Sequence, residues 1–242
     1  MRDSNIPSKK FRSTRWSLVV KSRGEGAEAE QALEDLCQLY WFPLYAWCRR
    51  QGLSATDSED MVQGFFQQLI EKRILDRADA KRGKLRTFLL TVLQRHIKDE
   101  QGKANAGRRG GGNVVSFDCA MAEEWYKEEP EGESADHLFD RQWALTILGN
   151  SVAKLEETFV KKDKAKLFAA MKPFLNGDGS AAEYETAGTS VGMTQGSFKV
   201  AVHRLRTKFR EALRAEIMKT QPDGESIDEE IEYLSKVLRG SI

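Results

Sequence analysis

The sequence predicts an all-α protein in which two helical domains are joined by an acidic, flexible linker. Apolar residues recur at helical steps of three and four through most of the chain, and no useful length of strand-like alternation interrupts them. A strip of acidic residues separates the helical segments into two groups. We expect a basic N-terminal arm (1–29), a first helical domain (30–106), the linker (107–138), a second helical domain (139–219) and a C-terminal tail (220–242).

The first domain is predicted to contain three helices. Residues 30–50 are rich in leucine and aromatic residues at helical steps, and Pro43 marks a kink or a junction between two helices. Residues 57–73 predict a second helix, which begins at capping residues and carries a broad apolar face beside a polar one. Residues 85–100 predict the third, which ends at a glycine-rich segment that favours a loop.

The linker is the most acidic part of the chain. Residues 118–136 carry eight acidic residues against the single base Lys127, and Pro130 lies among them. A segment with so few apolar residues and so much charge of one sign cannot bury enough surface to fold alone. We therefore expect the linker to be extended.

The second domain is predicted to end in a helix-turn-helix. Helical periodicity covers residues 139–159 and 163–175, and a short helix, a turn at Gly192 and a long helix follow. Glycine supplies a turn conformation that is costly for other residues, and the Thr194 hydroxyl can cap the long helix. The apolar stripe of that helix consists of Phe198, Val202, Leu205, Phe209 and Leu213.

The other side of the long helix is basic. Residues 194–219 carry seven Lys or Arg residues against two acids. Its exposed donors are predicted to be Lys199, His203, Arg204, Arg206 and Arg210. Such donors suit phosphate oxygens and guanine edges, although an ordinary solvated helix can also carry a mixed-charge face. The capped start after a glycine turn favours the DNA-binding interpretation.

The formal net charge of +1 conceals a strong segregation of charge. Residues 1–23 carry seven bases and one acid, and residues 81–109 carry nine bases and two acids. Residues 221–242 carry six acids and two bases. Basic blocks separated by an acidic strip predict two surfaces that face polyanions.

Composition argues against membrane, secreted and metal-binding classes. No segment approaches the roughly 18 apolar residues that a membrane span needs, and the basic N-terminus lacks the apolar core of a signal peptide, so we expect a cytoplasmic protein. The three cysteines form no C-x-x-C pair, which indicates reducing surroundings. The three histidines are far apart in sequence, and we expect neither a metal site nor a cofactor.

Four motifs stand in order along the chain. They are Leu44-Tyr-Ala-Trp-Cys-Arg-Arg50, Ser58-Glu-Asp-Met-Val-Gln-Gly-Phe-Phe66, Leu85-Arg-Thr-Phe-Leu-Leu-Thr-Val-Leu93 and Val200-Ala-Val-His-Arg-Leu-Arg206. Together they resemble the extracytoplasmic-function group of the bacterial sigma-70 family of sigma factors, over about residues 14–219. The opening Thr14-Arg-Trp-Ser-Leu18 is most similar to the subgroup found in planctomycete-like bacteria. The resemblance implies a region 2-like first domain and a region 4-like second domain.

The resemblance implies two roles for the first domain. Its second helix would dock on the clamp helices of RNA polymerase core through Asp60, Gln63, Phe66 and Gln67. Gly64 stands where many relatives have Glu, so one polar contact of the family is missing. Its third helix and the loop before it would grip the opened strand of the minus-ten promoter element. The matching residues are Lys84, Arg86, Thr87, Gln94, Arg95 and Lys98, for each of which a solvated surface position is the alternative.

For the second domain, the resemblance implies a reader of the duplex minus-35 element, lying near the polymerase flap. The implied DNA contacts are Ser197, Lys199, His203, Arg204 and Arg206. Relatives usually have a larger aliphatic residue and two alanines where this chain has Ala187, Gly188 and Thr189. Gly188 is expected to cost about 1 kcal/mol of helix stability relative to alanine.

Two segments have more open roles. The linker either threads through the active-site cleft and RNA exit channel of the polymerase, as in the family, or serves as a solvated tether. The tail carries a short amphipathic helix with no matched role. We hypothesise that its apolar stripe packs on the second domain and adjusts access to DNA.

The sequence predicts a sigma factor with no enzymatic activity, which directs core polymerase to promoters and assists their opening. It lacks a P-loop, a nucleophile elbow and a His-Glu-x-x-His helix. The expected partners are core polymerase, promoter DNA and an anti-sigma factor, with the free chain a monomer. The alternatives are a stand-alone dimeric helix-turn-helix repressor or activator, and a Mg²⁺-dependent nucleic-acid enzyme using Asp57, Glu59 and Asp60, which helix capping explains better.

Overall fold

The computed structural model describes residues 17–104, 119–129, 132–222 and 225–240, and these residues form helices and connecting turns without a strand. The predicted all-α class is confirmed. The helices are α1 (Ser17–Ser22), α2 (Ala27–Arg50), α3 (Ala55–Glu71), α4 (Leu85–Ala104), α5 (Cys119–Lys127), α6 (Ala135–Val160), α7 (Ala165–Met171), α8 (Ala181–Ser190), α9 (Gln195–Met218) and α10 (Ile227–Leu238). Short 3₁₀ turns lie at Ile74–Arg77, Ala80–Arg82 and Lys172–Leu175.

Helix α2 is the centre of the first hydrophobic core. Its aromatic and leucine side chains are buried by α1, α3, α4 and the first half of α6, with Tyr40 and Tyr45 fully enclosed. Pro43 lies inside one continuous helix, so it does not mark a junction between two helices. Helix α3 is capped by Ser54, whose hydroxyl accepts a hydrogen bond from the Asp57 amide at 3.1 Å. The cap lies among the predicted capping residues, and the helix begins at Ala55, two residues before the predicted position.

Part of the acidic linker is folded. Helix α5 packs against α2 and α3, and the Glu123 carboxylate binds the Arg49 guanidinium through two hydrogen bonds of 2.8 and 2.9 Å. Asp136, at the start of α6, accepts a hydrogen bond from Trp47 Nε1 at 2.7 Å. The acids of this segment therefore bind the end of α2, where basic and aromatic groups lie. The structure differs here from the expected extended linker, whose residues 107–118 and 130–131 lie outside the described part of the chain.

Helix α6 belongs to both hydrophobic cores. Phe139, Trp143 and Ile147 in its first half pack into the first core, whereas Leu155 in its second half packs into the second. The helix has 26 residues and a length of about 39 Å at 1.5 Å per residue. Helix α6 thus connects the two halves of the molecule, and the expected domain start at residue 139 lies within it. Helix α9 also reaches both cores, with Phe198 in the second and Ile217 in the first.

The second core is small and aromatic. It contains Phe168 and Met171 of α7, Phe174 of the following 3₁₀ turn, Tyr184 of α8 and three residues of α9, namely Phe198, Val202 and Leu205. The Phe174 and Tyr184 rings stack with their centroids 4.5 Å apart. This packing sets the angle between α8 and α9, which together correspond to the predicted helix-turn-helix.

Helix α10 packs against the first core. It contacts α6 and α9, and its Ile227 and Leu234 side chains belong to the first core. Arg214 of α9 forms an exposed ion pair with Asp228. The tail therefore packs on α9, as hypothesised, but its apolar stripe joins the first core as well. Among the described residues, no helix combines the length and apolarity that crossing a membrane requires.

Candidate nucleic-acid interface

Helices α8 and α9 are joined by the turn that the sequence predicts. Gly192 has a φ of 72°, in the left-handed region that glycine adopts without strain. Thr194 caps α9 by accepting a hydrogen bond from the Ser197 amide at 3.3 Å. At the other end of the pair, Ser180 and Glu183 form a reciprocal capping box that starts α8. Both helices are therefore fixed at their N-termini by their own residues.

Gly188 lies where α8 meets the turn. A Cβ atom at this position would lie 3.0 Å from the Met193 carbonyl oxygen and 3.2 Å from the Phe198 Cβ atom. Both distances are shorter than ordinary van der Waals contacts, so glycine permits a close approach that alanine would obstruct. Gly188 lowers the helix propensity of α8, but it allows α8 to pack tightly against α9. Its surroundings therefore do not indicate a loosely held helix.

The outer face of α9 presents most of the residues expected to contact duplex DNA. Ser197, Lys199, His203 and Arg204 are all exposed. Lys199 Nζ lies 5.2 Å from the centre of the Tyr184 ring, a cation–π contact that orients the amine beside α8. These four side chains lie on the solvent side of the helix, opposite its buried stripe.

Val200 is a candidate contact that the sequence reasoning did not single out. It is 52% exposed and shares a helical face with Ser197 and Arg204, since the three follow at steps of three and four. With Gly196 and Met193 it lines a shallow apolar hollow beside Arg204. The sequence offered one signal for this contact, namely a branched apolar residue whose helical spacing places it on the basic face of α9. Its chemistry suits the thymine methyl group in a major groove.

Arg206 does not belong to this exposed face. Its guanidinium donates hydrogen bonds to the Phe174 carbonyl oxygen from Nε at 2.9 Å and from Nη2 at 2.7 Å, and Nη1 lies 2.7 Å from Asp178 Oδ1. This hydrogen bond holds the pKa of Asp178 below its ordinary value. The expected DNA contact at Arg206 is therefore corrected, because its donors tie α9 to the loop before α8.

A second polar surface runs along α4. Thr87, Gln94 and Lys98 share one face of the helix, with Arg95 beside them, because they follow at steps close to its period. Thr87, Arg95 and Lys98 are exposed, and Gln94 is half-buried. These four of the six residues expected at the minus-ten strand are accessible together.

The other two of those six residues are engaged by carboxylates, with Arg86 buried and Lys84 half-buried. Arg86 is 6% exposed and bound to Asp140 of α6 and Glu230 of α10, while Lys84 Nζ lies 2.6 Å from Glu230 Oε2. Burial alone would lower the pKa of Arg86, but these carboxylates raise it above its ordinary value. The expectation that Lys84 and Arg86 are available to a DNA strand is corrected for this conformation, because a helix from the far end of the chain lies over them.

Of the four residues expected to contact polymerase, three are accessible and one is buried. Asp60, Gln63 and Gln67 share a face of α3 by their spacing, with Asp60 exposed and the two glutamines half-buried. Gln67 Nε2 donates to Glu71 Oε1 at 2.8 Å, which orients its amide along the surface. Phe66 is fully buried in the first core, so the expected contact at Phe66 is corrected.

Gly64 has a packing role. A Cβ atom there would lie 3.3 Å from His96 Nε2, which α4 buries against α3 beside the Phe65 ring. A glutamate at this position would have to displace the imidazole. The glycine at position 64 thus leaves room for the imidazole opposite it.

The titratable groups suited to metals or nucleophilic chemistry are dispersed or buried. Within the described ranges, no three His, Cys, Asp or Glu residues are grouped so as to hold a metal ion. Cys37 and Cys48 are buried in the first core, and burial raises the pKa of each thiol to about 12. Both are therefore protonated core residues.

Comparison of the chain with protein-family models, with curated proteins and with solved structures gives no match.

Proposed function

We propose that this chain is a dissociable initiation subunit of bacterial RNA polymerase, a sigma factor of the extracytoplasmic-function type. The observation that carries the proposal is the capped α8–α9 pair, whose outer face offers Ser197, Lys199, His203 and Arg204 together. A capped helix with basic and small polar residues on its exposed side suits the major groove of duplex DNA. On this proposal the chain works in the cytoplasm, binds DNA and polymerase, and catalyses no reaction itself.

The exposed face of α4 supports a second contact with DNA. This face carries Thr87, Arg95 and Lys98, which belong to a different helix from the α8–α9 pair. A strand opened from the duplex needs a basic surface of its own. A protein that only reads duplex DNA needs one such surface. Two separate basic surfaces on a connected fold favour a factor that both reads and opens a promoter.

The polar face of α3 supports docking on polymerase. Asp60, Gln63 and Gln67 are accessible beside one another, whereas the apolar side of the same helix is occupied by the first core. The helix is therefore free to offer its polar side to a partner without unfolding. We assign this face to the polymerase core.

Run-off transcription tests the proposal. Purified core polymerase is supplied with a fragmented host genome, with and without this chain, and discrete new transcripts are expected only with it. Simultaneous replacement of Lys199, His203 and Arg204 by alanine should abolish them. The matched control replaces by alanine the exposed Lys162, which precedes α7, and the exposed Lys166 within α7. It removes two positive charges, as many as the loss of Lys199 and Arg204 removes, and should leave the transcripts unchanged.

A stand-alone dimeric helix-turn-helix regulator is the second candidate. The observation that favours it is an apolar groove between α2, α5 and α6, where Trp125, Met121 and Leu145 are all more than 40% exposed. In a symmetric dimer, the apolar surface of this groove would be buried against the same groove of a second copy. Light scattering distinguishes the two, since a monomer that supports transcription fits a sigma factor, and a dimer that binds paired half-sites without polymerase fits the regulator.

A further inference from the structure

Helix α10 is attached to the start of α4 by a buried acid. Glu230 is 1% exposed, and its carboxylate accepts hydrogen bonds from Lys84 Nζ at 2.6 Å and from Arg86 Nη1. A buried carboxylate is tolerated only when cationic partners compensate for the water it has lost. Glu230 therefore supplies the buried anion in the contact between the tail and α4.

Arg86 is enclosed by groups from two helices. Its Nε donates to Asp140 Oδ1 at 2.8 Å, and its guanidinium lies 4.9 Å from the centre of the Trp143 ring on α6. The ring centre of Tyr233 on α10 lies 5.4 Å from the same guanidinium. Burial and a hydrogen bond to Asp140 raise the pKa of Tyr233 to about 12, so the phenol stays protonated beside Asp140. The tail thus supplies both an anion and an aromatic ring to the same guanidinium.

A DNA strand would supply the same chemistry. A phosphate oxygen binds arginine and lysine as a carboxylate does, and an unstacked base offers a flat ring to a guanidinium as tyrosine does. Glu230 and Tyr233 therefore present to Lys84 and Arg86 the two kinds of group that a single strand carries. The geometry points to α10 as an internal competitor, which occupies one end of the single-strand site on α4 and must leave before DNA can bind there. This inference rests on the proposed function, because it takes α4 as the surface that holds the opened strand.

The rest of the α4 surface stays open while α10 is in place. Thr87, Arg95 and Lys98 remain exposed, so a strand can meet part of the site without displacing the tail. The tail has other polar attachments to lose. Tyr233 donates a hydrogen bond to Asp140, and Glu225 Oε2 lies 3.9 Å from Lys84 Nζ. The ion pair between Arg214 and Asp228 is exposed and screened by water, so it adds little. A competing strand thus has to replace the contacts of Glu230 and Tyr233, together with the apolar packing of Ile227 and Leu234. On this inference, the apparent affinity for a strand at this end of the site is the intrinsic affinity multiplied by the fraction of molecules in which the tail has left.

The test compares full-length variants in their affinity for fluorescein-labelled oligothymidine, measured by fluorescence anisotropy. Glu230→Gln keeps the shape of the side chain and removes its charge, and it should tighten binding by about tenfold or more, because a buried ion pair that loses one charge is strongly weakened. Glu229→Gln removes the same charge from an exposed neighbouring position and should leave the affinity unchanged. Adding Arg86→Gln to Glu230→Gln should abolish the gain. Equal affinity of the wild type and Glu230→Gln overturns the inference.

A second measurement uses the wild-type chain and so avoids any effect of a substitution on folding. Hydrogen exchange of the amides in 227–238 is followed with and without saturating oligothymidine. Exchange should accelerate throughout this helix when DNA is present, because the strand displaces it. Unchanged or slower exchange there contradicts the inference.

Run-off transcription separates failure of the inference from failure of the proposed function. Tighter strand binding by Glu230→Gln that depends on Arg86, without polymerase-dependent transcripts from either protein, supports the masked site and rejects the sigma-factor proposal. Equal strand binding by the two proteins, with the same transcripts at the same level, supports the sigma-factor proposal and rejects the masked site.

Discussion

Arg206 on α9 donates two hydrogen bonds to the carbonyl oxygen of Phe174, which lies 32 residues earlier in the chain. A hydrogen bond from a charged donor contributes about 1.5 to 3 kcal/mol to the stability of the fold, and its loss leaves the carbonyl group without its partner. We expect Arg206→Ala to lower the free energy of unfolding by about 2 kcal/mol, measured by urea denaturation.

Arg204→Ala is the matched control for this prediction, because Arg204 is an exposed arginine two residues away. It should leave the free energy of unfolding unchanged. In duplex binding it should reduce affinity and lower the slope of log affinity against log salt by about one, as the loss of one phosphate contact does. A large loss of stability in Arg204→Ala would contradict the division of roles between the two arginines.

Gly188→Ala is expected to destabilise the chain although alanine favours helices. The added Cβ atom would meet the Met193 carbonyl oxygen at 3.0 Å, and overpacking of this kind costs about 1 to 3 kcal/mol. Gly149→Ala in α6 is the control, since its Cβ atom meets nothing within 4 Å and should add up to about 1 kcal/mol of stability. Thermal denaturation measures both, and stabilisation by both alanines would show that the crossing at Gly188 is not tight.

Substitutions at Phe66 and Asp60 should have distinct effects, the first on stability and the second on polymerase binding. Phe66→Ala removes a fully buried ring and should lower the free energy of unfolding by about 3 to 5 kcal/mol. Asp60→Ala changes an exposed side chain and should leave stability unchanged while weakening the complex with core polymerase. Pull-down with purified core polymerase, beside chemical denaturation, measures the two effects. Undiminished binding by Asp60→Ala removes this face of α3 from the proposed contact.

The pair formed by Arg49 and Glu123 predicts a dependence of stability on pH. Hydrogen bonding to Arg49 holds the pKa of Glu123 below its ordinary value of 4.5. A carboxylate whose pKa is lowered by folding stabilises the folded state above its unfolded pKa and loses that contribution as the pH falls through the folded value. The stability advantage of the wild type over Glu123→Gln should therefore be full at neutral pH and shrink below 4.5.

The control for the pH experiment is Glu124→Gln, which changes an exposed acid on the same helix. Its difference from the wild type should stay small across the acid range in the same denaturation series. An advantage over Glu123→Gln that persists unchanged to low pH would mean that the Arg49 contact does not depend on the charge of Glu123.

Local patterns were sufficient to predict most helices. The spacing of apolar residues places α3, α4, α9 and α10 within a few residues of their observed bounds, and Gly192 and Thr194 have the conformations expected of them. These features depend on neighbours a few residues away, such as a capping hydroxyl or the next turn of the helix. The sequence alone is informative about such short-range effects.

Long-range contacts explain where the predictions were wrong. Arg86 is paired with Glu230, 144 residues further along the chain, and no periodicity in either segment reveals the other. Arg206 has the helical spacing of an exposed residue, but the loop at Phe174 folds back to reach it. Helix α5 forms in an acidic segment because Arg49 and Tyr45 bind its Glu123. In each case a partner distant in sequence decides the environment of a charged residue.

The unbroken course of α6 through both cores fixes the angular phase between the two halves of the molecule. Each residue added to an α-helix turns everything beyond it by about 100° and advances it by about 1.5 Å. One insertion between Ile147 and Leu155 would therefore turn the second core relative to the first. It would also pull Lys154 away from its partner Glu216 on α9, because the end of α9 is held in the first core by Ile217. The register between the two surfaces is set by a residue count, and α6 can change in composition far more readily than in length.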